Sequence, residues 1–205
     1  MAKTEINERD AKLIQWLNEA YAKEAELEMD LAAHITLTEK TAYKKRLQAH
    51  LKETREHKRA VASRIRALGG EPAAPSTLPG LPTVLGEVTG KAVAAVKGQV
   101  GAARALVTDA AETQLRNAQE ELREEHVEIA IYQRLETFGE AVGDRETEQL
   151  ARRIRREEER MAKYLTTELS RLTKDVVRSQ VPREQRTTPG SRRQRRSPRT
   201  RAATA

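Results

Sequence analysis

The sequence contains no cysteine and few aromatic residues. Cysteine is absent from all 205 residues, which excludes disulfides, thiolate zinc sites and iron–sulfur clusters. Any metal ligand must therefore be a carboxylate or an imidazole. Phe, Tyr and Trp together make up 3% of the chain, whereas charged residues reach 34%, a composition that favours long helices over a β-sandwich or barrel.

The chain also lacks long apolar runs and the common catalytic motifs. No stretch approaches about 18 consecutive apolar residues, and the N-terminal segment is charged throughout, so neither a transmembrane segment nor a secretory signal is predicted. We therefore expect a cytoplasmic protein. No Gly-rich phosphate loop follows a strand, and no Gly-x-Ser-x-Gly elbow or credible triad is present. An ordinary hydrolase or transferase thus has little support.

The net charge of +7 resides in the C-terminal segment. Residues 183–205 contain eight Arg and one acidic residue, so this segment accounts for the whole net charge. It has no apolar periodicity, and we predict a disordered tail after a bundle domain at 1–182. Such a tail would bind the phosphates of nucleic acid weakly and without recognising a base sequence. The alternative is a solubilising extension with no specific partner. The candidate nucleic-acid contacts are Arg192, Arg193, Arg195, Arg196, Arg199 and Arg201.

Apolar residues recur at spacings of three and four in four segments, which predicts four amphipathic helices. The segments run from about 7 to 33, 38 to 68, 110 to 142 and 146 to 177. Thr38 is the expected N-cap of the second helix. The link from 69 to 109 is long enough for the chain to return along the bundle before the third helix begins, as in ferritin-like folds.

Part of this link, residues 83–108, has a composition of its own. It contains almost no acidic residues, and small residues fall at every fourth position from Gly86 to Ala102. We predict an extra helix that packs closely on another helix of the same chain or of a second subunit. Binding to a lipid surface is the less favoured alternative.

Acidic residues and histidines occupy positions that the helical period assigns to the core. Glu24, Glu125 and Glu157 each lie between apolar residues on three different helices. On the second helix, His50 and His57 share the inward face. All four helices therefore contribute at least one candidate polar group to the interior.

The depths of these groups agree within each predicted hairpin. In an antiparallel pair, Glu24 and Glu53 lie at the same level below the first turn, and Glu128 and Glu158 lie at the same level below the second. Buried, unpaired carboxylates are costly, and bundle proteins use several at one level to hold two metal ions. Iron or manganese suits this ligand set better than zinc. Ion pairs across the bundle are the structural alternative.

Four stretches of the chain resemble the YciE/YciF-type ferritin-like stress proteins of bacteria. They are Leu17-Asn-Glu-Ala-Tyr-Ala-Lys-Glu24, His50-Leu-Lys-Glu-Thr54, Glu125-His-Val-Glu-Ile-Ala130 and Glu157-Glu158. The resemblance implies a four-helix ferritin-like bundle, a homodimer, a dinuclear iron site and a link to stress responses. The ligands that it implies are Glu24, Glu53, Glu125 and Glu128, with Glu157 or Glu158 from the fourth helix. Either Glu56 or His57 would complete the set of the second helix.

Two functions follow from these observations. The first is a metal protein that binds Fe(II) or manganese and oxidises iron with oxygen or peroxide. The second is a helical scaffold without catalysis, whose Arg-rich tail binds nucleic acid or another acidic partner. The Glu-x-x-His pair of ferritins is absent from the second and fourth helices, so the sequence leaves both hypotheses open.

Overall fold

The computed structural model describes residues 6–73 and 110–186, which form four long α-helices and a 3-10 turn. The helices are α1 (Glu8–Leu37), α2 (Thr41–Ala67), α3 (Ala110–Ala141) and α4 (Arg145–Gln180), and the turn is Arg183–Gln185. These elements confirm the predicted all-α bundle. No helix in the described ranges is long and apolar enough to cross a membrane.

Two predicted features lie outside the described residues. These are the extra helix expected within 83–108 and the six candidate nucleic-acid contacts from Arg192 to Arg201. Both stay predictions. The first residues of the expected tail are described, and they form the turn at Arg183–Gln185, which Arg186 ties to the end of α4 through the carbonyl of Arg178.

The helices form two antiparallel hairpins that pack against each other. α1 packs on α2 and α3 packs on α4, while α1 also contacts α3 and α2 contacts α4. Near the end of α2, Arg64 donates to Asp144 in the α3–α4 turn, whereas Gln180 at the end of α4 donates to Glu112 at the start of α3. α2 therefore ends at one end of the bundle and α3 begins at the other. This placement of the two helix ends is the one that the predicted return along the bundle requires.

Side chains and glycine set the ends of the helices. Asn7 accepts the N–H of Asp10 at 2.9 Å, and Asp144 accepts the N–H of Thr147 at 3.0 Å, so both α1 and α4 begin with a side-chain cap. Gly143 follows α3 with φ of 71°, a left-handed conformation that other residues rarely adopt. These signals allow a turn of three residues between α3 and α4.

Thr38 ends α1 and does not begin α2, so its prediction as an N-cap is wrong. Its hydroxyl donates to the carbonyl of His34 at 2.7 Å, and its N–H donates to that of Ile35. α1 consequently continues to Leu37, and Lys40 takes the N-cap position of α2 without a side-chain hydrogen bond. Threonine is frequent at N-caps, but here the preceding helix satisfies its hydroxyl.

The core consists of two apolar clusters separated by a polar layer. The first cluster lies toward the α3–α4 turn and comprises Leu17, Ala20, Val61, Ile65, Tyr132, Leu135, Ala151 and Ile154. The second lies toward the α1–α2 turn and comprises Leu27, Leu31, Tyr43, Leu47, Ala118, Met161, Leu165 and Leu172. All four helices contribute to both clusters, so apolar side chains enclose the polar layer from both ends of the bundle.

We expect Asp144→Ala to lower the free energy of unfolding by roughly 1–3 kcal/mol, because it removes the cap of α4 and the partner of Arg64. Burial raises the pKa of Asp144, but hydrogen bonds from Thr147 and Arg64 outweigh it and hold this pKa below its usual range. A carboxyl whose pKa is lowered by folding stabilises the protein at pH values above its pKa in the unfolded chain. The destabilisation caused by Asp144→Ala should therefore shrink as pH falls below about 4. Urea denaturation at neutral and acidic pH measures both effects.

The matched control is Glu146→Ala. Glu146 also contacts Arg64, but its side chain is 78% exposed. We expect its removal to change stability by less than about 0.5 kcal/mol. Equal losses in the two variants would contradict the role of Asp144 as a cap.

Candidate metal centre

The polar layer between the two apolar clusters is formed by seven buried residues. They are Glu24 from α1, His50, Thr54 and His57 from α2, Glu125 and Glu128 from α3, and Glu158 from α4. None exposes more than 2% of its surface. Thr54 donates its hydroxyl to the carbonyl of His50 at 3.1 Å and is thereby satisfied. We call the other six, which are four carboxylates and two imidazoles, the inner cluster.

Helical spacing explains why these side chains meet. On α1, Glu24 follows Leu17 and Ala20 and precedes Leu27 and Leu31 on one face, and each other helix has the same order of apolar, polar and apolar positions. Packing the two hairpins on their apolar positions therefore brings the polar positions to one level.

Two groups of donor atoms converge within the inner cluster, and they share Glu158. In the first, His57 Nδ1 lies 2.8 Å from Glu158 Oε1 and 3.5 Å from Glu24 Oε1. In the second, His50 Nε2 lies 2.8 Å from Glu125 Oε1 and 3.7 Å from Glu158 Oε2. All donor atoms within each group lie within 4.8 Å of one another. The two oxygens of Glu158 thus face different groups.

Most polar atoms of the inner cluster make no hydrogen bond within the described part of the chain. These atoms are Glu24 Oε2, both carboxylate oxygens of Glu125, Glu128 and Glu158, His50 Nε2 and His57 Nδ1. The short contacts from the two imidazoles are therefore not aligned as hydrogen bonds. Leaving such atoms dry and unpaired is strongly unfavourable, and native proteins rarely do so without a ligand or water. The arrangement suits a cation.

Glu128 has the least compensation of the four carboxylates. It is fully buried, and neither oxygen has a hydrogen-bond partner among the described residues. Burial raises the pKa of Glu128 well above its usual range, and the negative charges of Glu24, Glu158 and Glu125 raise it further. A group in this environment gains more from a nearby cation than from any side chain within its reach.

The outward nitrogen of each imidazole contacts a partly exposed carboxylate. His50 Nδ1 lies 3.1 Å from Glu53 Oε2, and His57 Nε2 lies 2.6 Å from Glu157 Oε2. A carboxylate that accepts a hydrogen bond from the N–H of one ring nitrogen leaves the other nitrogen available as a metal ligand. Glu53 and Glu157 therefore orient the two imidazoles toward the centre of the layer.

Tyr132 supports the inner cluster from the first apolar cluster. It is 1% exposed, and its hydroxyl donates to Glu24 Oε1. This hydrogen bond fixes one oxygen of Glu24, whereas the other has no hydrogen bond within residues 6–73 and 110–186. The oxygen that Tyr132 holds is also the one that lies 3.5 Å from His57 Nδ1.

The imidazoles hold protons in the metal-free protein. Burial lowers the pKa of His57, but Glu158 and Glu24 outweigh it and raise this pKa to about 11. Burial likewise opposes protonation of His50, and Glu125 and Glu53 raise its pKa to about 10. Burial raises the pKa of Glu125 to about 8, against the effect of His50. A cation entering near neutral pH must displace these protons.

The structure separates the predicted ligands into three sets. It brings Glu24, His57, Glu125, Glu128 and Glu158 together in the inner cluster. It places Glu53 and Glu157 on the outward nitrogens of the imidazoles, and Glu56 is exposed to solvent.

His50 is the residue that the predicted ligand set omitted. Its inward position was recognised from its spacing to Thr54 and His57, which place all three on one helical face. That spacing was the available signal, because on a 100° wheel Thr54 and His57 lie within about 40° of His50, whereas Glu53 lies about 60° away at the edge of this face.

Comparison with known proteins decides the family. Residues 8–178 match the family described as Domain of unknown function (DUF892). The chain belongs to this family. No curated protein matches it significantly.

Three solved structures share the fold of this family member. A protein from Xanthomonas campestris pv. campestris is 22% identical with a TM-score of 0.66, over 84% of this chain and 98% of that one. YcfI from Rhodopseudomonas palustris is 18% identical with a TM-score of 0.61, over 82% and 98%. The stress protein YciF of E. coli is 21% identical with a TM-score of 0.55, over 81% and 97%. The resemblance to YciF-type proteins is thereby confirmed for family and fold.

We expect Glu128→Gln to stabilise the metal-free protein at about pH 8 by roughly 1 kcal/mol or more. The pKa of Glu128 is higher in the folded protein than in the unfolded chain, so the stability that its carboxyl contributes is lost as pH rises. Gln cannot ionise, so Glu128→Gln avoids this pH-dependent destabilisation. The difference in unfolding free energy between the variant and the wild type should vanish near pH 4, about the pKa of Glu in the unfolded chain. Urea denaturation in the presence of a chelator at both pH values measures it.

Glu136→Gln is the control on the same helix. Glu136 is also buried, but it accepts hydrogen bonds from Arg152 and Arg155, both at 2.8 Å. This variant should be destabilised, since it loses paired charges. A comparable loss of stability in Glu128→Gln would contradict the description of Glu128 as unpaired.

Proposed function

We propose that the protein binds two divalent metal ions in the inner cluster and that the metal is iron, with manganese as the alternative. The observation that carries this proposal is the pair of donor groups that share Glu158, whose inward atoms have no hydrogen bond among the described residues. In the metal-free protein, His50 Nε2 and His57 Nδ1 form ion pairs with Glu125 and Glu158 at 2.8 Å, and a bound ion would take the place of their protons. The ligand set is oxygen-rich with two imidazoles, which suits iron or manganese.

The number and type of donors support two ions. Carboxylate-bridged dinuclear sites in helical bundles use four carboxylates and two imidazoles, with Glu-x-x-His pairs on two helices. The inner cluster has the same six donors, but His50 and His57 both come from α2. This distribution explains why the sequence contains no Glu-x-x-His pair at the expected positions and still supplies a complete set.

Each residue has a defined place in the proposed site. Glu24 and His57 would hold one ion, and His50 and Glu125 the other, with Glu158 shared because its two oxygens face different groups. Glu128, which is near Glu24, Glu125 and Glu158, supplies a further carboxylate.

Two bound Fe(II) ions would supply the two electrons that reduce one peroxide to water, with the uptake of two protons. The chain contributes the environment for this chemistry. The apolar clusters exclude bulk water from the layer, and Glu53 and Glu157 keep the imidazoles in place. His50 and His57 release protons when an ion binds, since both are protonated near neutral pH.

The relatives suggest the setting of this activity. The E. coli neighbour is described as a stress protein. We propose the same role for this chain, as a cytoplasmic homodimer that binds Fe(II) and consumes peroxide during stress.

Anaerobic loading with Fe(II), followed by desalting and elemental analysis, tests the proposal. We expect about two iron ions per chain in the wild type. Glu158→Gln should lose both ions, because it removes the carboxylate that the two groups share. Glu56→Gln is the control, since Glu56 is exposed and should keep the wild-type iron content. A wild type without bound iron or manganese would contradict the proposed function.

A further inference from the structure

The charges of the four helices are divided between two sides of the bundle. α2 contains nine Lys and Arg residues against two Glu, and α4 contains ten against seven acidic residues. α1 and α3 show the opposite excess, with three Lys and Arg residues each against seven and eight acidic ones. Because α2 contacts α4 and α1 contacts α3, the basic helices lie on one side of the bundle and the acidic helices on the other.

Much of the acidic excess does not reach the surface. Five of the eight acidic residues of α3 are buried, namely Glu121, Glu124, Glu125, Glu128 and Glu136. On α1, Glu24 is buried as well, and Glu28 contacts Lys58. The acidic side of a second copy of the chain is therefore a poor electrostatic match for the basic helices.

The exposed face of α4 carries a row of basic side chains. Ten residues between 145 and 178, spaced by three or four positions, fall within a sector of about 80° on a wheel of 100° per residue. All ten are exposed and none is acidic, and two of them are Gln149 and Thr167. The other eight, which we call the basic row, are Arg145, Arg153, Arg156, Arg160, Lys163, Arg171, Lys174 and Arg178.

Most of the basic row makes no ion pair within the described ranges. The five unpaired members are Arg145, Arg153, Arg156, Lys163 and Lys174. Each of the other three contacts an acidic residue three positions earlier on α4, as Arg171 does Glu168 at 3.1 Å. These acidic residues are buried or half-buried and lie outside the sector of the row. The charge of the row is therefore available to a partner outside the chain.

The composition of the basic row favours a phosphate backbone over a membrane surface. Helices that lie on membranes insert large apolar side chains beside their basic ones. Within the described length of α4, the large apolar residue that is exposed is Val177, and it lies outside the sector of the row. Regularly spaced cations without apolar neighbours suit a polyanion with regularly spaced charges, as nucleic acid has.

Tyr164, the aromatic residue of α4, is not available for stacking on bases. It is partly buried against the second apolar cluster, and the guanidinium of Arg46 lies 6.0 Å from the centroid of its ring. Proteins that bind single strands stack the bases on exposed aromatic side chains. The basic row therefore suits a duplex, whose bases are already stacked on each other.

We propose that the basic row binds the phosphate backbone of a nucleic-acid duplex without recognising a base sequence. From Arg145 to Arg178 the row is about 50 Å long, which equals roughly 15 base pairs at about 3.4 Å each. This surface belongs to the folded bundle and is separate from the contacts predicted for Arg192 to Arg201.

Fluorescence anisotropy of the full-length chain with labelled DNA and RNA duplexes of about 20 base pairs tests this surface. We expect the wild type to bind both duplexes, because the row contacts phosphates alone. The affinity should fall steeply between about 50 and 200 mM NaCl, since each phosphate contact releases counterions.

The row variant combines Arg153→Gln, Arg156→Gln, Lys163→Gln and Lys174→Gln. These side chains are exposed and make no ion pair among the described residues, so the fold should persist. We expect at least about tenfold weaker binding, and a slope of log affinity against log salt that is smaller by about three to four. If this variant does not fold, Arg153→Gln with Arg156→Gln alone should lower the slope by about two.

The matched control removes four exposed basic side chains from the acidic side of the bundle. It combines Arg9→Gln, Lys12→Gln, Arg116→Gln and Arg123→Gln. The net charge changes by the same amount as in the row variant, but binding should stay within about threefold of the wild type. An equal loss in the two variants would overturn the proposal, because net charge alone would then explain binding.

A second control separates the basic row from the C-terminal tail. It combines Arg192→Gln, Arg193→Gln, Arg195→Gln and Arg196→Gln. The proposal is overturned if this variant loses duplex binding while the row variant binds like the wild type. It is also overturned if the wild type binds neither duplex, including the case in which it binds only vesicles that contain phosphatidylserine.

This test is independent of the proposed function. The basic row contains no residue of the inner cluster, so the row variant should keep the iron content of the wild type. A wild type without iron would contradict the metal centre and leave the duplex measurements unaffected.

Discussion

The burial of six ionisable side chains in one layer is the constraint on which the rest of this structure depends. Four carboxylates and two imidazoles lie at the centre of the bundle with almost no exposure. Transferring such groups from water is unfavourable unless they are paired or bind a ligand. The burial of the two apolar clusters on either side of the layer must therefore offset the free energy that it costs to bury these six side chains.

Contacts around the layer satisfy some of its buried polar atoms. Glu53 and Glu157 hold the outward nitrogens of the imidazoles, and Tyr132 holds one oxygen of Glu24. The inward atoms make no hydrogen bond among the residues that the structure describes, whereas other carboxylates of the bundle pair with arginine or lysine, as Glu28 does with Lys58. Ion binding is therefore coupled to protein stability, because an ion that binds only the folded layer raises the free energy of unfolding.

The sequence predicted the fold and most of the layer, because both follow from helical periodicity. The seam positions of Glu24 and Glu125 repeat the spacing of their apolar neighbours, so their burial could be inferred without a partner helix. The return of the chain along the bundle followed from the length of the link. These predictions needed only the local geometry of a helix.

The remaining details depend on tertiary packing. Glu157 and Glu158 are adjacent and 100° apart on the helix, and only the packing of α4 against α2 decides that Glu158 enters the layer while Glu157 remains partly exposed. For His50 and Glu53, helical spacing placed His50 on the inward face, whereas the family resemblance implied Glu53 as the ligand. Thr38 was misplaced because a hydroxyl satisfies the end of one helix as readily as the start of the next.

Anomalous diffraction from crystals loaded anaerobically with Fe(II) tests the central claim most directly, because it locates the metal without reference to activity. The account predicts two iron peaks inside the bundle, one beside His57 Nδ1 and one beside His50 Nε2, both within reach of Glu158. Crystals with no anomalous peak between the two apolar clusters, or with iron bound only at the surface, would contradict it.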